Sequence, residues 1–268
     1  MPLATNIATD LAAAREATDL ATSIATRMGA ASVATVSTIL GSNLVEYWDS
    51  TAGVGLVSGA VDTWTGQKLG IVASAPAAGQ RPAYGADGAY FLGANVVKCT
   101  RVATRVLKVA DGGATLFASG TRPYVMTVTR NALIEAYDMD VFAVLDSFAA
   151  ATVVVPKQQY ITASGKHGGL FYNNSTAVVS SVSYTTTPTR VSVYMESDNK
   201  TSINVDGTIA TSASGTGAIT AAGKVVEFGY DRGSATTVNF RGAILCAAKP
   251  SAAEITALNA WVLANWGV

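Results

Sequence analysis

Between residues 43 and 247 the chain is cut into short β-branched runs by Gly, Asn, Asp and Ser, and this spacing constrains the fold more than any other feature. Candidate strands are 43–48, 88–93, 95–103, 105–109, 114–118, 123–129, 132–137, 140–145, 151–155, 168–173, 177–183, 189–196, 200–205, 208–211, 224–230 and 236–247. Many short strands with few helices bury their apolar faces as packed sheets, so the pattern predicts an all-β sandwich rather than an α/β fold. The clearest hairpin joins 190–196 to 201–205 through Asp198-Asn199. Asp206-Gly207 follows as a second turn, a type I′ signal because both residue types tolerate positive φ.

The two ends read differently. Residues 3–28 contain five copies of Ala-Thr-x-(Ile/Leu/Met), at 4–7, 8–11, 17–20, 21–24 and 25–28. In a helix a four-residue step carries each apolar side chain about 40° further round. Leu3, Ile7 and Leu11 therefore share one arc, and Leu20, Ile24 and Met28 the next. Such a broad apolar face needs a partner, either the chain's own sandwich or another subunit. Gly29 fits a helix stop, and residues 30–42 read as a strand or a linker. Residues 1–42 are thus expected to form an attachment or oligomerisation segment, and 43–268 the sandwich. At the other end, Ser251-Ala252-Ala253-Glu254 is a capping box. Ile255, Leu258 and Val262 continue it as an apolar stripe beside Trp261 and Trp266, which predicts a closing helix over 251–265.

Composition narrows the partners. Charged residues make up 13% of the 268, against about 25% in an ordinary domain. Eighteen basic residues balance eighteen acidic ones, so no field draws in a polyanion and nucleic acid is not expected. The mean hydropathy of +0.31 fits either surface buried in an assembly or the inflation that many alanines bring. The uncharged runs 28–45 and 167–189 are too polar to span a bilayer, so no membrane partner is expected. The first basic side chain is Arg15, so the start lacks the basic region of a secretion signal. Cys99 and Cys246 lie in candidate strands without CxxC spacing and fit buried free thiols, in keeping with synthesis in a reducing cytoplasm.

Two segments about 150 residues apart then fit one architecture. The first is Tyr47-Trp48-Asp49, Val61-Asp62-Thr63-Trp64 and Gln80-Arg81-Pro82-Ala83-Tyr84. The second is Asn239-Phe240-Arg241-Gly242-Ala243-Ile244-Leu245, followed by the capping box and Trp261 to Trp266-Gly267. Together with Asn204-Val205-Asp206-Gly207, they resemble the concanavalin A-like (LamG-like) jelly roll over residues 43–267, and in particular the modules of tailed-bacteriophage virion proteins. Pro250 stands where that pattern has Leu. The resemblance implies a virion location, made in the host cytoplasm, and a capsid-decoration or head-fibre protein attached to other virion proteins through residues 1–42. It further implies a homo-oligomer, with a trimer as the usual state. A tail-fibre module that recognises host-surface carbohydrate is the alternative.

The chemistry-bearing residues are sparse. A jelly-roll glycanase sets carboxylates on alternate residues of a strand. In Glu135-Ala136-Tyr137-Asp138-Met139-Asp140, Asp138 and Asp140 share a face and Glu135 does not. His167, the only histidine, lies in a glycine-rich stretch that reads as a turn. Neither zinc ligands nor a phosphate-binding loop is recognisable, and the chain is expected not to be an enzyme and to need no cofactor. Calcium, held by some jelly rolls through loop oxygens, has Asp62, Asp198, Asn199 and Asp231 as scattered candidates. Sugar binding needs an aromatic platform beside polar groups. The candidates are Trp48, Trp64, Tyr84 and Tyr90 in the opening loops, and Tyr172 with Asn173. Packing of Trp48 and Trp64 over the sandwich is the competing reading.

Overall fold

The computed structural model describes residues 34–100, 105–109, 116, 120–131, 139–145, 156–161, 165–171, 178–183, 185–215, 225–229 and 237–268. Val36–Val268 form one compact unit, and residues 1–35 fall outside it. The attachment-helix residues Leu3, Ile7, Leu11, Leu20, Ile24 and Met28 lie outside the described residues, as do Tyr172 and Asn173.

The described strands make an antiparallel β-sandwich. One layer runs β5 (Ala83–Ala86), β6 (Asn95–Cys99) and β1 (Leu44–Asp49), then β17 (Val238–Cys246), β8 (Tyr124–Asn131), β13 (Thr189–Met195), β14 (Lys200–Val205) and β15 (Thr208–Gly215). The other runs β12 (Val178–Ser183), β11 (Lys166–Phe171), β10 (Pro156–Ile161), β9 (Met139–Leu145), β16 (Val225–Phe228), β7 (Leu107–Val109), β4 (Val72–Ser74), β3 (Ala60–Thr65) and β2 (Val54–Val57). Val125, Val193, Ile203, Val226, Phe228 and Phe240 meet in the core between the layers. At Gly169 the layers approach so closely that a Cβ would stand 2.9 Å from Val193 Cγ2.

Strand β17 organises the first layer. All nine of its residues are buried, as befits a central strand covered on both faces. It pairs with β8 along its length and divides its other edge between β6 (Val238↔Cys99) and β1 (Asp49↔Gly242). The register shifts between Phe240 and Gly242. A bulge of this kind moves the inward set by one residue. Val238 and Phe240 face the inter-layer core before it, Ala243 and Leu245 after it, and Ile244 and Cys246 turn to the opposite face.

That opposite face is closed by α1 (Val36–Leu40), the turn Tyr90–Gly93 and α2 (Ala252–Trp266). Val36, Leu40, Phe91, Leu258, Val262 and Trp266 form a second core there with Tyr124, Met126 and Ile244. The capping box is present: Ser251 Oγ accepts from Glu254 N at 3.3 Å, and Glu254 Oε2 accepts from Ser251 N at 2.7 Å. Gly267, with φ 75°, ends the helix in the left-handed region.

Several expectations are corrected. Residues 36–40 are neither strand nor linker but a helical turn with Val36 and Leu40 in the core, so the compact unit begins before residue 43. Residues 90–93 form a tight turn rather than a strand. Strands β2 to β5 occupy an opening region in which none was predicted. His167 sits on β11 and is 2% exposed, not in a turn; burial pushes its pKa down to about 4, so it is neutral at neutral pH. Cys99 and Cys246 are free and buried as expected, and burial raises the Cys246 thiol to about 12. Asn199 (φ 66°), Asp206 (φ 47°) and Gly207 (φ 98°) take the left-handed turn conformations that their residue types predict. Among the described residues no helix is long and apolar enough to cross a membrane.

Candidate functional site: a buried latch and an exposed rim

The opening and closing motifs meet in one hydrogen-bonded latch. Trp48, on β1, and Trp64, on β3, are both 0% exposed and pack against Phe228, with ring centroids 5.2 and 5.4 Å away. A buried indole must still place its N–H. Trp48 Nε1 donates to Trp64 O at 3.1 Å, and Trp64 Nε1 donates to Asp49 O at 2.9 Å. Asp49 then ties three elements together. Its carboxylate accepts from Trp266 Nε1 at 2.9 Å, from Thr51 N at 2.8 Å and Thr51 Oγ1 at 2.6 Å, and pairs with Arg241 Nη1. Burial pushes Asp49 up. The Thr51 hydroxyl, the Arg241 guanidinium, the Thr51 amide and the Trp266 indole outweigh that and hold its carboxyl below the usual value.

The bulge in β17 places Arg241 for this role, 4% exposed at its side chain. Gly242 follows because there is no room for more: an added Cβ would overlap the Trp266 ring and stand 2.7 Å from Trp48 O. Arg81 and Asp62 form an ion pair at 2.5 Å, and Tyr84 OH donates to Ser50 O at 2.8 Å. Glu46, which sequence reasoning passed over, is a second internal pin. It is fully buried, and its carboxylate accepts from the amides of Tyr47 (2.9 Å), Lys68 (2.7 Å), Leu69 (2.9 Å) and Ile71 (3.2 Å). Those contacts fix the 66–71 loop against β1, and Gly66 leaves the space that the carboxylate fills. A lone Glu in an alternating strand gives no sequence signal of this.

Four of the proposed sugar-contact residues therefore separate. Trp48 and Trp64 have no exposed ring face for a pyranose, which removes them as sugar contacts and bears out the packing reading. Tyr84 is half-buried against the inter-layer core, with its hydroxyl committed to Ser50. Tyr90 alone of the four is exposed, at 39%. Arg130, near the end of β8, lies over its ring at 4.4 Å from the centroid. Arg130 is itself clamped: Nη1 donates to both Asp87 oxygens at 2.8 and 3.0 Å, and Nε donates to Thr186 O at 2.7 Å.

The turn carrying Tyr90 is unusual. Phe91 (φ 54°, ψ 37°), Leu92 (φ 58°, ψ 27°) and Gly93 (φ 73°) lie successively in the left-handed region. Non-glycine residues held there cost of order 1–3 kcal/mol each and persist where surrounding structure over-determines them. Phe91 is the anchor, 2% exposed in the second core, while Leu92 is thrust outward at 67%. The rim so formed offers an aromatic ring, an apolar side chain and a guanidinium held by a carboxylate.

Of the calcium candidates, Asp62 is paired with Arg81, Asp198 with Lys200 at 2.6 Å, and Asn199 Oδ1 accepts from Arg122 Nε at 2.9 Å; Asp231 lies outside the described residues. Among the described residues no three or more His, Cys, Asp or Glu side chains group as metal ligands.

No protein-family model matches the chain, and no curated protein sequence matches it. Solved structures do. A Trypanosoma rangeli sialidase in complex with the inhibitor DANA is 14% identical over 80% of this chain and 32% of its own, with a TM-score of 0.54. A mutant of that sialidase displaying trans-sialidase activity is 13% identical over 84% and 33%, with a TM-score of 0.55. The binding domain of botulinum neurotoxin DC in complex with SialylT is 10% identical over 83% and 52%, with a TM-score of 0.54. The chain spans about a third of the length of the sialidases it matches. At these identities the likeness establishes the fold alone, a β-sandwich shared with parts of sialidase chains and with a neurotoxin binding domain. It also overturns one expectation: a sandwich that occurs within sialidase chains gives no ground for excluding enzymatic activity. The weighed carboxylates Glu135 and Asp138 lie outside the described residues.

Proposed function

We propose that the chain is a bacteriophage virion protein, of capsid-decoration or head-fibre type, that displays a carbohydrate-recognising β-sandwich on the particle surface. The single observation that carries the glycan half is Tyr90, an exposed ring braced by Arg130 and Asp87 on a strained turn. An aromatic face beside fixed polar groups is the arrangement that stacks on a pyranose and orients its hydroxyls. The sandwich shared with a neurotoxin binding domain in complex with SialylT supports a glycan as the ligand class. The virion half is supported by the likeness of the opening and closing motifs to phage modules, and by a compact unit that starts at Val36 and leaves residues 1–35 to join other virion proteins. A trimer would present three rims together and raise avidity without new contacts.

The exposed rim also favours a second reading, a tail-fibre module that binds host-surface carbohydrate. Antibody labelling of intact particles separates the two by location. The glycan half is tested on a glycan array with the full chain and Tyr90→Ala, melted in parallel. Binding lost in Tyr90→Ala with an unchanged melt supports it. Absence of binding by the parent, or undiminished binding by the variant, removes the rim as the contact.

A further inference from the structure

At the far end of β8 from Arg130 lies a concavity of about 550 Å³, between the 120–122 segment, the β13–β14 turn and residues 247–249. Eight residues of extended chain separate Arg122 from Arg130, roughly 25 Å, so a single sugar ring cannot touch both. An isolated parallel bridge between Arg122 and Ala248 holds two walls of the cleft together.

Its charged groups are pre-positioned. Lys249 Nζ meets both Glu196 oxygens at 3.0 Å and lies 4.7 Å above the centre of the Tyr194 ring. Glu196 is held in turn by Ser202 Oγ at 3.0 Å. Among the described residues Arg122 is held by one edge, Nε donating to Asn199 Oδ1 at 2.9 Å. Its two terminal Nη groups meet no partner among the described residues. The Asp198–Lys200 pair on the adjacent turn cancels itself. Two cations therefore face one carboxylate in a chain whose overall charge is zero.

We infer that this cleft binds a carboxylate-bearing sugar, with Arg122 as the specificity-determining residue. A guanidinium oriented through Nε presents its remaining donors as a planar fork, and a carboxylate matches that fork with two parallel hydrogen bonds. Lys249 and Glu196 neutralise each other, so Arg122 carries the net positive charge of the cleft. Glu196 keeps lone pairs for ring hydroxyls, and the volume suits one or two sugar rings. Phosphate or sulfate would also satisfy a cation but offers no row of hydroxyls to Glu196. The inference is independent of the Tyr90 rim.

The test is calorimetric titration of the full chain with methyl glycosides of glucuronic and galacturonic acid, each beside its uncharged partner, the methyl glycoside of glucose or galactose. At least one uronide should bind saturably and at least tenfold more tightly than its uncharged partner, and binding should weaken as salt is raised. Arg122→Gln should abolish that preference, Arg122→Lys should restore it only in part because an ammonium lacks the fork, and Tyr90→Ala should leave it intact. Equal affinity within both pairs, no uronide binding, or a preference that survives Arg122→Gln would each overturn the inference. Loss of uronide binding in Tyr90→Ala with Arg122→Gln unaffected would move the acidic sugar to the rim and sink the cleft.

Discussion

The latch and the rim are both built on aromatic side chains, and they spend them in opposite ways. In the latch, Trp48, Trp64 and Trp266 are fully buried, and each indole N–H is bonded within the chain. At the rim, Tyr90 and Leu92 are exposed over a buried Phe91 anchor. Aromatic clustering in a sequence thus does not separate an exposed ring from a core one. What separates them is whether polar atoms are satisfied internally and whether the turn beside the ring buries its neighbour instead, as it does Phe91.

The largest effect should come from Trp266→Ala. It empties a fully buried site, removes the T-shaped partner of Trp261 (5.2 Å) and leaves Asp49 Oδ2 without its indole donor. A loss of about 3–5 kcal/mol follows from such large-to-small core changes, measured by denaturant unfolding. A variant as stable as the parent would mean that the latch does not close the sandwich.

Asp49→Asn comes next. It leaves Arg241, 4% exposed, without its carboxylate, at a cost of about 3 kcal/mol. The acid limb gives the sign. A carboxyl held below its unfolded value of about 3.9 contributes stability that is present above that pH and lost as pH falls through the folded value. The parent should therefore lose stability more steeply than the Asn variant below about pH 4. Parallel acid limbs would show that Asp49 is not the linked group.

Legibility follows the same division. Asp198-Asn199, Asp206-Gly207 and the capping box were readable because turn and cap geometry is local, set by positive φ and by one side chain reaching one amide. The sandwich was readable from strand spacing. Strands β2 to β5 were not, since three are only three or four residues long and their glycines, alanines and polar residues give no alternation to count. The 36–40 turn was mistaken because β-branched Val36, Thr38 and Ile39 favour strands in isolation, whereas burial of Val36 and Leu40 against α2 decides the outcome. The exposure of Tyr90 was not legible, because burial is set by partners distant in sequence, such as Phe228 for Trp48. The exclusion of enzymatic activity rested on one short run of carboxylates and a lone histidine, and a sandwich that occurs within sialidase chains withdraws that ground.

Ser251→Ala tests the closing helix without touching the aromatic cluster. It removes the acceptor for Glu254 N and the reciprocal geometry of the box, worth roughly 0.5–2 kcal/mol. If the latch and not the helix start governs closure, this loss should add to that of Asp49→Asn rather than overlap it, because the two sites share no partner. A double variant markedly less destabilised than the sum would join them into one unit.

The smallest effect should also have the opposite sign. Leu92 holds φ 58° and ψ 27° with 67% of its surface exposed, so it bears a conformational cost with little burial to offset it. Asn tolerates the left-handed region better than Leu. Leu92→Asn should leave the melt unchanged or raise it by a few tenths of a kcal/mol, where every substitution in the latch lowers it. On a glycan array the same variant should weaken binding, since it removes the apolar neighbour of Tyr90. A stabilised protein with poorer binding would show that the turn keeps Leu92 for contact at the expense of stability. A destabilised one would make Leu92 a packing residue against Gly267, which its side chain adjoins, and the rim would then belong with the latch.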